Sequence, residues 1–459
     1  MDPSTSGRIR IEAEMIFKDI YYITLMSITP KGYRISLDSD KVKEITKELT
    51  VKPFNTEGIT KEYKIFRKSD KYLYGPRFYM LNKLGTPSDV SYHDLDVMNI
   101  TINNDPREYQ MESSLKVLNH ITKNYSAVCS LYTGWGKTFL ALWLASKLKC
   151  KTLIVVHTRS LLDQWVVKIK EFTGIDAGII QQDKIIVESP ICVGIIHSLC
   201  IRNYPAEVTQ GFGFVVFDEV HHTPSEMFSS VFYKLYIKYS LGLSATLKRA
   251  DGLSKVVNWF LGDTVVDIKQ TTGKPDIELC PFYPIVPFEE EVMMNGKPNR
   301  MAMIVNMCNS IERNNFILEC INRNKHRVIL VLTQIRSHAE YLHSQLENSG
   351  LYMGKMSLEE LNESNTKNVI IGTYNMASEG YDNPRLDTLI LGTPKSDVEQ
   401  AVGRILRRQN ENSPLVIDIQ DFYSTFTFSN YKRISFYKKR GFFKQKEETT
   451  IDVEIREEY

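Results

Sequence analysis

The sequence has no long hydrophobic run, no closely paired cysteines and little net charge, and each absence excludes a class of protein. No apolar stretch approaches the length of about 20 residues that a membrane-spanning helix needs. The polar start Met1–Arg8 also lacks the apolar core of a signal peptide. Seven cysteines occur without a C-x-x-C pair, which argues for a reducing intracellular compartment and against a zinc site. The net charge is only +2, so any nucleic-acid surface must be a local basic patch.

The most informative segment that is present is Leu131–Thr138, whose glycine turn lies between a predicted strand and a predicted helix. This order is the context that a phosphate-binding loop requires. Gly134 and Gly136 would let the backbone approach phosphates closely. Lys137 would reach the β- and γ-phosphates, and the hydroxyl at the end of the segment would bind Mg²⁺. A leucine replaces the small residue that usually begins such a loop, and a glycine-rich turn without nucleotide is the alternative.

A second segment, Gly213–His222, has mostly apolar residues followed by two adjacent carboxylates. This pattern predicts a buried parallel strand with acids at its C-terminal end, where open α/β sheets bind their ligands. Asp218 would hold Mg²⁺, mostly through water, and Glu219 would orient the attacking water. The alternative is an acidic turn after a strand.

Strands alternate with helices along two stretches of the chain, which predicts an α/β fold with two parallel-sheet domains. A segment rich in proline, glycine and acids separates the two stretches and predicts a linker. Short alternating segments near the N-terminus predict a small β-rich accessory domain. The predicted boundaries are 1–100 for the accessory domain, 101–270 and 301–446 for the α/β domains, 271–300 for the linker and 447–459 for an acidic tail.

The segment Gln400–Arg407 would place two arginines, Arg404 and Arg407, on one face of a helix in the second α/β domain. Two guanidinium groups on one face are suited to binding a phosphate as arginine fingers. Because Arg408 is adjacent, a solvated basic helix face is the alternative.

These motifs occur in the order found in superfamily 2 helicases, and the chain resembles that superfamily over residues 100–425. The resemblance implies two tandem RecA-like domains, with ATP and Mg²⁺ bound in the cleft between them. The segments that carry it are Pro106–Gln110, Thr133–Thr138, His157–Leu161, Asp218–His221, Ser244–Thr246, Gly372–Asp382 and Gln400–Arg407.

The same resemblance implies roles for individual residues. Those expected at the nucleotide are Gln110, Thr133, Gly134, Trp135, Gly136, Lys137, Thr138, Gly380 and Asp382. Those expected to be catalytic are Lys137, Asp218, Glu219, His221, Arg404 and Arg407, with Thr138 and Asp218 as the Mg²⁺ ligands. Those expected on nucleic-acid phosphates are Thr158, Arg159, Thr333 and Thr373. For the last two, a strand-end hydroxyl that satisfies a local backbone group is the alternative.

Within the superfamily, Gly242–Gly252 and Asn306–Ile317 resemble the XPB-like branch, although Leu247 replaces the usual proline. That branch includes phage branch-migration helicases and the transcript-release helicases of large DNA viruses. The segments Gly178–Lys184 and Lys438–Phe443 look most like the viral members. The resemblance therefore implies an intracellular protein in the host cytoplasm or nucleus, or one packaged in the virion.

Two classes of function follow. The first is an ATP-dependent DNA helicase or translocase in viral transcription, recombination or repair, acting on single-stranded, forked or branched DNA. The second is an RNA-directed ATPase, or a duplex translocase that remodels complexes without separating strands. Transcription or replication proteins are candidate partners, and no membrane is expected. A chain starting near Asn103 is predicted to keep its strand-stimulated ATPase activity but to lose its preference for forked DNA.

Overall fold

The computed structural model describes residues 26–29, 32–53, 62–87, 89–90, 97–222, 225–245, 252–269, 273–354, 356–378, 383–406 and 412–443. The chain divides into two compact units, Met1–Lys269 and Gln270–Tyr459. Each unit contains one largely parallel sheet, and the first also carries a small β-rich sheet near its N-terminus. This arrangement confirms the predicted fold class.

The small sheet is formed by short strands with two helices between them. Its elements are β1 (Ser27–Thr29), β2 (Gly32–Ser36), α1 (Val42–Glu48), β3 (Thr50–Val51), β4 (Tyr63–Lys64), β5 (Arg67–Lys68), β6 (Tyr72–Gly75), α2 (Arg77–Leu84) and β7 (Asp89–Val90). The strand order is β5-β6-β2-β1-β7, with only the β1–β7 pair parallel, and β3 pairs separately with β4.

The first α/β sheet has the strand order β11-β10-β12-β9-β13-β14-β8-β15, and every pair except β10–β11 is parallel. Its elements begin with α3 (Glu108–Asn124), β8 (Ser126–Leu131), α4 (Lys137–Leu148), β9 (Thr152–Val156), α5 (Arg159–Thr173), β10 (Gly178–Gln181), β11 (Lys184–Ile186) and β12 (Ile191–Ile195). They continue with α6 (Ile196–Ile201), α7 (Ala206–Thr209), β13 (Phe214–Phe217), α8 (Glu226–Ser229), β14 (Tyr239–Ser244), α9 (Ser254–Leu261) and β15 (Thr264–Ile268).

The central strands of this sheet are mostly apolar because both of their faces are covered. Neighbouring residues of β8 point to opposite faces, so Ala127 and Cys129 belong to one apolar cluster and Val128 to the other. Helices α4 and α5 pack on the face of Ala127, which explains why their sequences carry regularly spaced apolar residues. Because all strands of this sheet except β11 run in the same direction, their carboxyl ends lie at one edge of the sheet.

The β-rich N-terminal segment is not a separate compact unit. Its buried residues, among them Ile35 and Leu73, share one apolar cluster with Val128 and Phe217 of the first α/β sheet. Arg77, only 8% exposed, donates hydrogen bonds to the backbone carbonyls of residues 237 and 238 just before β14. The predicted boundary at residue 100 therefore crosses a continuous core.

The second unit has a fully parallel sheet with the strand order β16-β21-β20-β17-β19-β18. Its elements are β16 (Asp276–Phe282), α10 (Arg300–Asn309), α11 (Ile311–Arg323), β17 (Ile329–Thr333), α12 (Arg336–Ser344), β18 (Ser349–Tyr352), α13 (Leu358–Ser364), β19 (Val369–Thr373), α14 (Tyr374–Ser378), β20 (Thr388–Leu391), α15 (Glu399–Ile405), β21 (Leu415–Asp421) and α16 (Phe426–Arg440).

The predicted linker 271–300 contains an element that the sequence did not indicate. Strand β16 pairs with β21 from Asp276 opposite Leu415 to Phe282 opposite Asp421. Since β16 is an edge strand, only one of its sides needs ladder hydrogen bonds, so its acids and Pro281 are tolerated there. The second sheet therefore begins inside the predicted linker.

Candidate active site

The glycine turn of the predicted phosphate-binding segment lies between strand β8 and helix α4, the order that the sequence predicted. Gly134 and Gly136 have φ values of 95° and 109°, a left-handed region that side chains disfavour. A Cβ atom on Gly136 would also collide with the amide nitrogen of Gln110. Helix α4 starts at Lys137 directly after the second glycine, so its unpaired N–H groups face the loop.

Gln110 braces this loop from α3. Its Nε2 donates to the Trp135 carbonyl at 2.6 Å, and its Oε1 accepts from the Arg107 N–H at 3.0 Å. The Tyr109 hydroxyl donates to the same Trp135 carbonyl at 3.3 Å. The Trp135 indole lies in the core at 1% exposure, so this side chain anchors the loop. Thr133 is part of the same turn and is half-buried.

Lys137 lies against the second carboxylate of the acidic segment. Its Nζ is 2.8 Å from Oε1 of Glu219, and both side chains are 15% exposed. Glu219 has a φ of 47°, which turns the chain sharply after β13 and costs on the order of 1 kcal/mol in a residue with a side chain. The structure therefore brings the phosphate loop and the carboxylates together.

The other oxygen of Glu219 faces His221 and Ser244. Oε2 is 3.3 Å from Ser244 Oγ and 3.4 Å from His221 Nδ1, and Nδ1 is 2.8 Å from the same Ser244 Oγ. Burial alone would raise the pKa of Glu219. However, the Lys137 ammonium and the hydrogen bond from His221 lower this pKa well below its usual value. Glu219 is thus held as a carboxylate.

Asp218 has a partner that the sequence did not indicate. Its Oδ2 accepts a hydrogen bond from the Trp165 indole at 2.8 Å, and its Oδ1 accepts from the Glu219 N–H at 3.1 Å. Burial and the charge of Glu219 raise the pKa of Asp218, whereas Lys137 and the Trp165 N–H oppose that rise. Spacing along α5 predicted only apolar packing for Trp165, and no local pattern marks its contact with residue 218.

The donor set around this carboxylate fits Mg²⁺. Asp218 offers carboxylate oxygen and Thr138, at the start of α4, offers a hydroxyl, which are the hard ligands this ion prefers. Within the described parts of the chain, no group of three or more His, Cys, Asp or Glu side chains could hold a metal by itself. Such a sparse set suits an ion whose remaining ligands are water and phosphate.

The residues predicted on nucleic-acid phosphates have different surroundings. Thr158 caps α5, because its hydroxyl accepts from the Leu161 N–H at 3.3 Å. The Arg159 side chain is 70% exposed and has a 3.5 Å ion pair with Asp163 one turn later. Thr373 ends β19 and is half-buried. At Thr158, Arg159 and Thr373, part of the side chain is therefore accessible to solvent.

Thr333 is fully buried at the end of β17. Its hydroxyl accepts from the Ile335 N–H at 3.1 Å and lies 3.0 Å from Nδ1 of His338. A phosphate cannot reach this hydroxyl in the structure. The geometry favours the alternative that the sequence left open, a strand-end hydroxyl that satisfies local groups.

Arg404 lies on α15 and is only 5% exposed. The whole described end of this helix, Ala401–Ile405, is buried. This burial is incompatible with a solvated basic face at Arg404. The predicted site residues Gly380, Asp382 and Arg407, and the motif residue Thr246, lie outside the described residues.

Over the described part of the chain, no helix is both long enough and apolar enough to cross a membrane.

Known proteins are similar in sequence to this chain over segments that include these motifs. Residues 103–249 match the family described as Type III restriction enzyme, res subunit. A protein of Acanthamoeba polyphaga mimivirus, provisionally named an ATP-dependent RNA helicase, is 34% identical over 451 residues, covering 91% of this chain and 86% of the relative. A provisionally named helicase of Invertebrate iridescent virus 6 is 29% identical over 365 residues, covering 73% of this chain and 81% of the relative.

Among solved structures, the fold is similar to that of S. cerevisiae Dbp5 bound to RNA and ADP BeF3. The TM-score is 0.51 at 14% identity, covering 73% of this chain and 90% of the yeast protein. At this identity the likeness concerns the fold alone. The similarity to the mimivirus protein, in contrast, covers 91% of this chain.

Proposed function

We propose that this chain, which belongs to the superfamily 2 helicases and is an ATP-hydrolysing enzyme, couples hydrolysis to movement on DNA or unwinding of DNA. One observation carries the proposal: Lys137 of the phosphate loop and the carboxylates after β13 form a single cluster, with Lys137 Nζ 2.8 Å from Glu219. A structural glycine turn does not require a buried lysine opposite two acids.

In the proposed reaction, the phosphate oxygens of ATP compete with Glu219 for the Lys137 ammonium. Release from this ion pair leaves Glu219 free to accept a hydrogen bond from the attacking water, and the hydrogen bond from His221 still favours its carboxylate form. His221 and Ser244, which contact its other oxygen, orient the carboxylate. Bound Mg²⁺ would supply charge neutralisation between the β- and γ-phosphates, with Asp218 and Thr138 as the protein ligands.

The remaining nucleotide contacts are proposed from the family resemblance. Gln110 would exchange its contact with the Trp135 carbonyl for adenine, and Gly380 and Asp382 would contact the nucleotide. Arg404 and Arg407 would donate to the transferred phosphate and stabilise its charge. The buried position of Arg404 supports a specific partner rather than solvent.

For the nucleic acid, Thr158, Arg159 and Thr373 are proposed to contact phosphates, whereas the burial of Thr333 argues against such a contact at that position. Phosphate contacts carry no base sequence, so movement should be independent of sequence. The exposed guanidinium of Arg159 is the contact most consistent with the structure.

RNA is a second candidate substrate, and a specific observation favours it. The mimivirus relative, which is similar over 91% of this chain, carries the name of an RNA helicase. Transcript release, recombination and repair in a virus-infected cell are the processes proposed for the DNA activity, in the host cytoplasm or nucleus. Transcription or replication proteins are the proposed partners.

A side-by-side ATPase assay separates these possibilities. The full chain is measured with single-stranded DNA, duplex DNA, forked DNA and RNA at equal nucleotide concentration. The DNA proposal expects the largest stimulation with DNA, and stimulation by RNA alone would establish the second candidate. Lys137→Ala is the control and should abolish hydrolysis with every nucleic acid, because the loop loses the charge that binds the phosphates. Near wild-type turnover in this variant would contradict the assignment of the loop.

A further inference from the structure

Helix α16 of the second unit, Phe426–Arg440, contains no acidic residue and has two different faces. The buried face consists of Phe426, Ser429, Asn430, Arg433 and Tyr437. The exposed residues on the other side recur at spacings of three and four, so they form one stripe along the helix. This outward stripe consists of Phe428, Tyr431, Lys432, Ser435, Lys438 and Lys439.

Buried hydrogen bonds on the inward face of α16 fix the orientation of the stripe. Arg433, which is 1% exposed, donates to Asp418 at 2.9 Å and to the Lys395 carbonyl at 2.9 Å. The Tyr437 hydroxyl donates to the same carboxylate at 3.0 Å. The helix cannot turn about its axis without breaking these contacts, so the opposite stripe is held toward the exterior.

The positive charge of the stripe is not neutralised by neighbouring carboxylates. Lys432, Lys438 and Lys439 are exposed, and none of them has an ion pair within the part of the chain that the structure describes. Arg440, beside the stripe, pairs instead with Glu399. Since the net charge of the whole chain is only +2, three such lysines on one helix face form the local basic patch that a polyanion requires.

The stripe also exposes two aromatic rings that the core does not use. Phe428 is 69% exposed, and Tyr431, one helical turn later, is 55% exposed. Aromatic rings among lysines can stack on unpaired bases while the ammonium groups contact phosphates. In a duplex the bases are already stacked on one another, so this combination of side chains favours a single strand.

The stripe begins at the carboxyl edge of the second sheet. Helix α16 starts five residues after β21 ends, and Phe428 lies in its first turn. Because this sheet is fully parallel, Thr373 at the end of β19 lies at the same edge. A strand held by Thr373, as proposed above, would be able to continue along α16, whose 15 residues extend over about 22 Å.

We propose that the outward stripe of α16 binds a single strand of nucleic acid, in addition to the contacts made by the helicase motifs. The lysines neutralise phosphates, and Phe428 and Tyr431 stack on bases. DNA and RNA strands share this chemistry, so both serve as probes. The inference rests on the proposed function, because it takes nucleic acid to be the substrate.

The test measures binding of the full chain, without nucleotide, to labelled oligo(dT), oligo(U) and a DNA duplex by fluorescence anisotropy at several salt concentrations. Phe428→Gln/Tyr431→Gln should weaken the binding of both single strands about tenfold and leave duplex binding unchanged, because only unpaired bases stack on the rings. Lys432→Gln/Lys439→Gln should weaken the binding of all three probes. On the single strands it should also reduce the slope of log affinity against log salt by about 1.4, since two phosphate contacts are lost.

The matched control is Lys297→Gln/Lys325→Gln, which removes two exposed lysines from the same unit outside the stripe. Its affinity for each probe should equal that of the original chain. All the substituted side chains are exposed, so each variant should unfold at the temperature of the original chain. Binding to vesicles of phosphatidylglycerol is measured in parallel, because a basic and aromatic helix face also suits an anionic membrane.

The inference is overturned if the original chain binds oligo(dT) or oligo(U) and both stripe variants bind them as the control does. It is also overturned if the stripe variants lose binding to vesicles while keeping their affinity for the oligonucleotides, which would assign the stripe to a membrane. A different result contradicts the proposed function itself: the original chain binds no nucleic acid, and the inference then fails with it. The two failures are therefore distinguished by the behaviour of the unmodified chain.

Discussion

The contact between Trp165 and Asp218 leads to a prediction that the sequence motifs alone do not contain. The change Trp165→Phe keeps an aromatic ring at a position that is 3% exposed but removes the indole N–H that lies 2.8 Å from Oδ2 of Asp218. A hydrogen bond to a charged group contributes about 1.5–3 kcal/mol. If that energy orients the carboxylate for Mg²⁺, losing it corresponds to about a 10- to 100-fold change in an equilibrium constant, as is typical for groups that support a metal ligand.

The assay is ATP hydrolysis as a function of Mg²⁺ concentration and of pH. The Mg²⁺ concentration for half-maximal rate should rise about 10- to 100-fold in Trp165→Phe. Burial already raises the pKa of Asp218, and the indole N–H opposes that rise because it stabilises the carboxylate. Without this N–H the pKa rises further, so the deprotonated form is lost at a higher pH. The acidic limb of the rate profile should therefore move to higher pH.

Trp143→Phe is the matched control. Trp143 on α4 is also 3% exposed, but its indole nitrogen has no hydrogen-bond partner among the residues that the structure describes. Both changes remove similar volume from the same core, whereas only one removes a contact to the acidic segment. Equal Mg²⁺ dependence in the two variants, or an unchanged Mg²⁺ dependence in Trp165→Phe, would refute the reasoning.

Three further changes have expected results. Glu219→Gln should bind ATP in a nucleotide-binding assay but stop turnover, since an amide cannot serve as the base, and a rate within about threefold of the original would exclude this role. Arg404→Ala should lower kcat by about a hundredfold or more in steady-state assays, and a normal kcat with reduced thermal stability would indicate a purely structural arginine. Arg77→Ala should lower the free energy of unfolding by about 3 kcal/mol in denaturant titrations, because it leaves the buried carbonyl of residue 237 and the partly buried carbonyl of residue 238 without this donor; a loss below about 0.5 kcal/mol, as expected of exposed Lys43→Ala, would contradict this.

The strands that the sequence identified are those buried on both faces. In β9, Thr152–Val156, and β17, Ile329–Thr333, almost every residue is apolar, and such runs need no knowledge of neighbours to be recognised. Strand β16 carries acids and a proline within seven residues, and this composition is typical of a linker. Its strand conformation depends on pairing with β21, which lies more than a hundred residues later in the sequence. A local sequence pattern cannot predict pairing with so distant a strand.

The candidate site shows the same distinction between features encoded by neighbouring residues and features that depend on distant ones. The turn at Gly134 and Gly136 and the adjacent acids at positions 218 and 219 are encoded by neighbouring residues, so the sequence predicts both segments and the elements next to them. The contacts of Asp218 with Trp165 and of the Trp135 carbonyl with Gln110 join residues 53 and 25 positions apart. Thr333 shows the opposite case, since a strand-end threonine has the same sequence pattern whether its hydroxyl faces a ligand or a neighbouring backbone group.

The β-rich N-terminal segment is present as predicted, but its packing argues against testing its role by truncation. The sequence predicts that a chain starting near Asn103 keeps its ATPase activity, but the segment before that residue shares its core with the first α/β sheet. Tyr233 donates to the Ile65 carbonyl at 2.6 Å, and Phe78 packs on Gly262, where a Cβ atom would lie 3.1 Å from its ring. Truncation would expose this apolar face, so a loss of fork preference could not be separated from a loss of folding.

Substrate choice by this segment must therefore be tested on the full chain, through side chains that the core does not need. The guanidinium of Arg34 lies 4.5 Å from the centre of the Tyr72 ring, and both residues are half-buried on the small sheet. Because Arg34 and Tyr72 alternate with the buried Ile35 and Leu73, they lie on the opposite face of their strands from that core. Substitutions at these two positions change the charge and stacking surface while leaving the shared core intact, which a deletion cannot do.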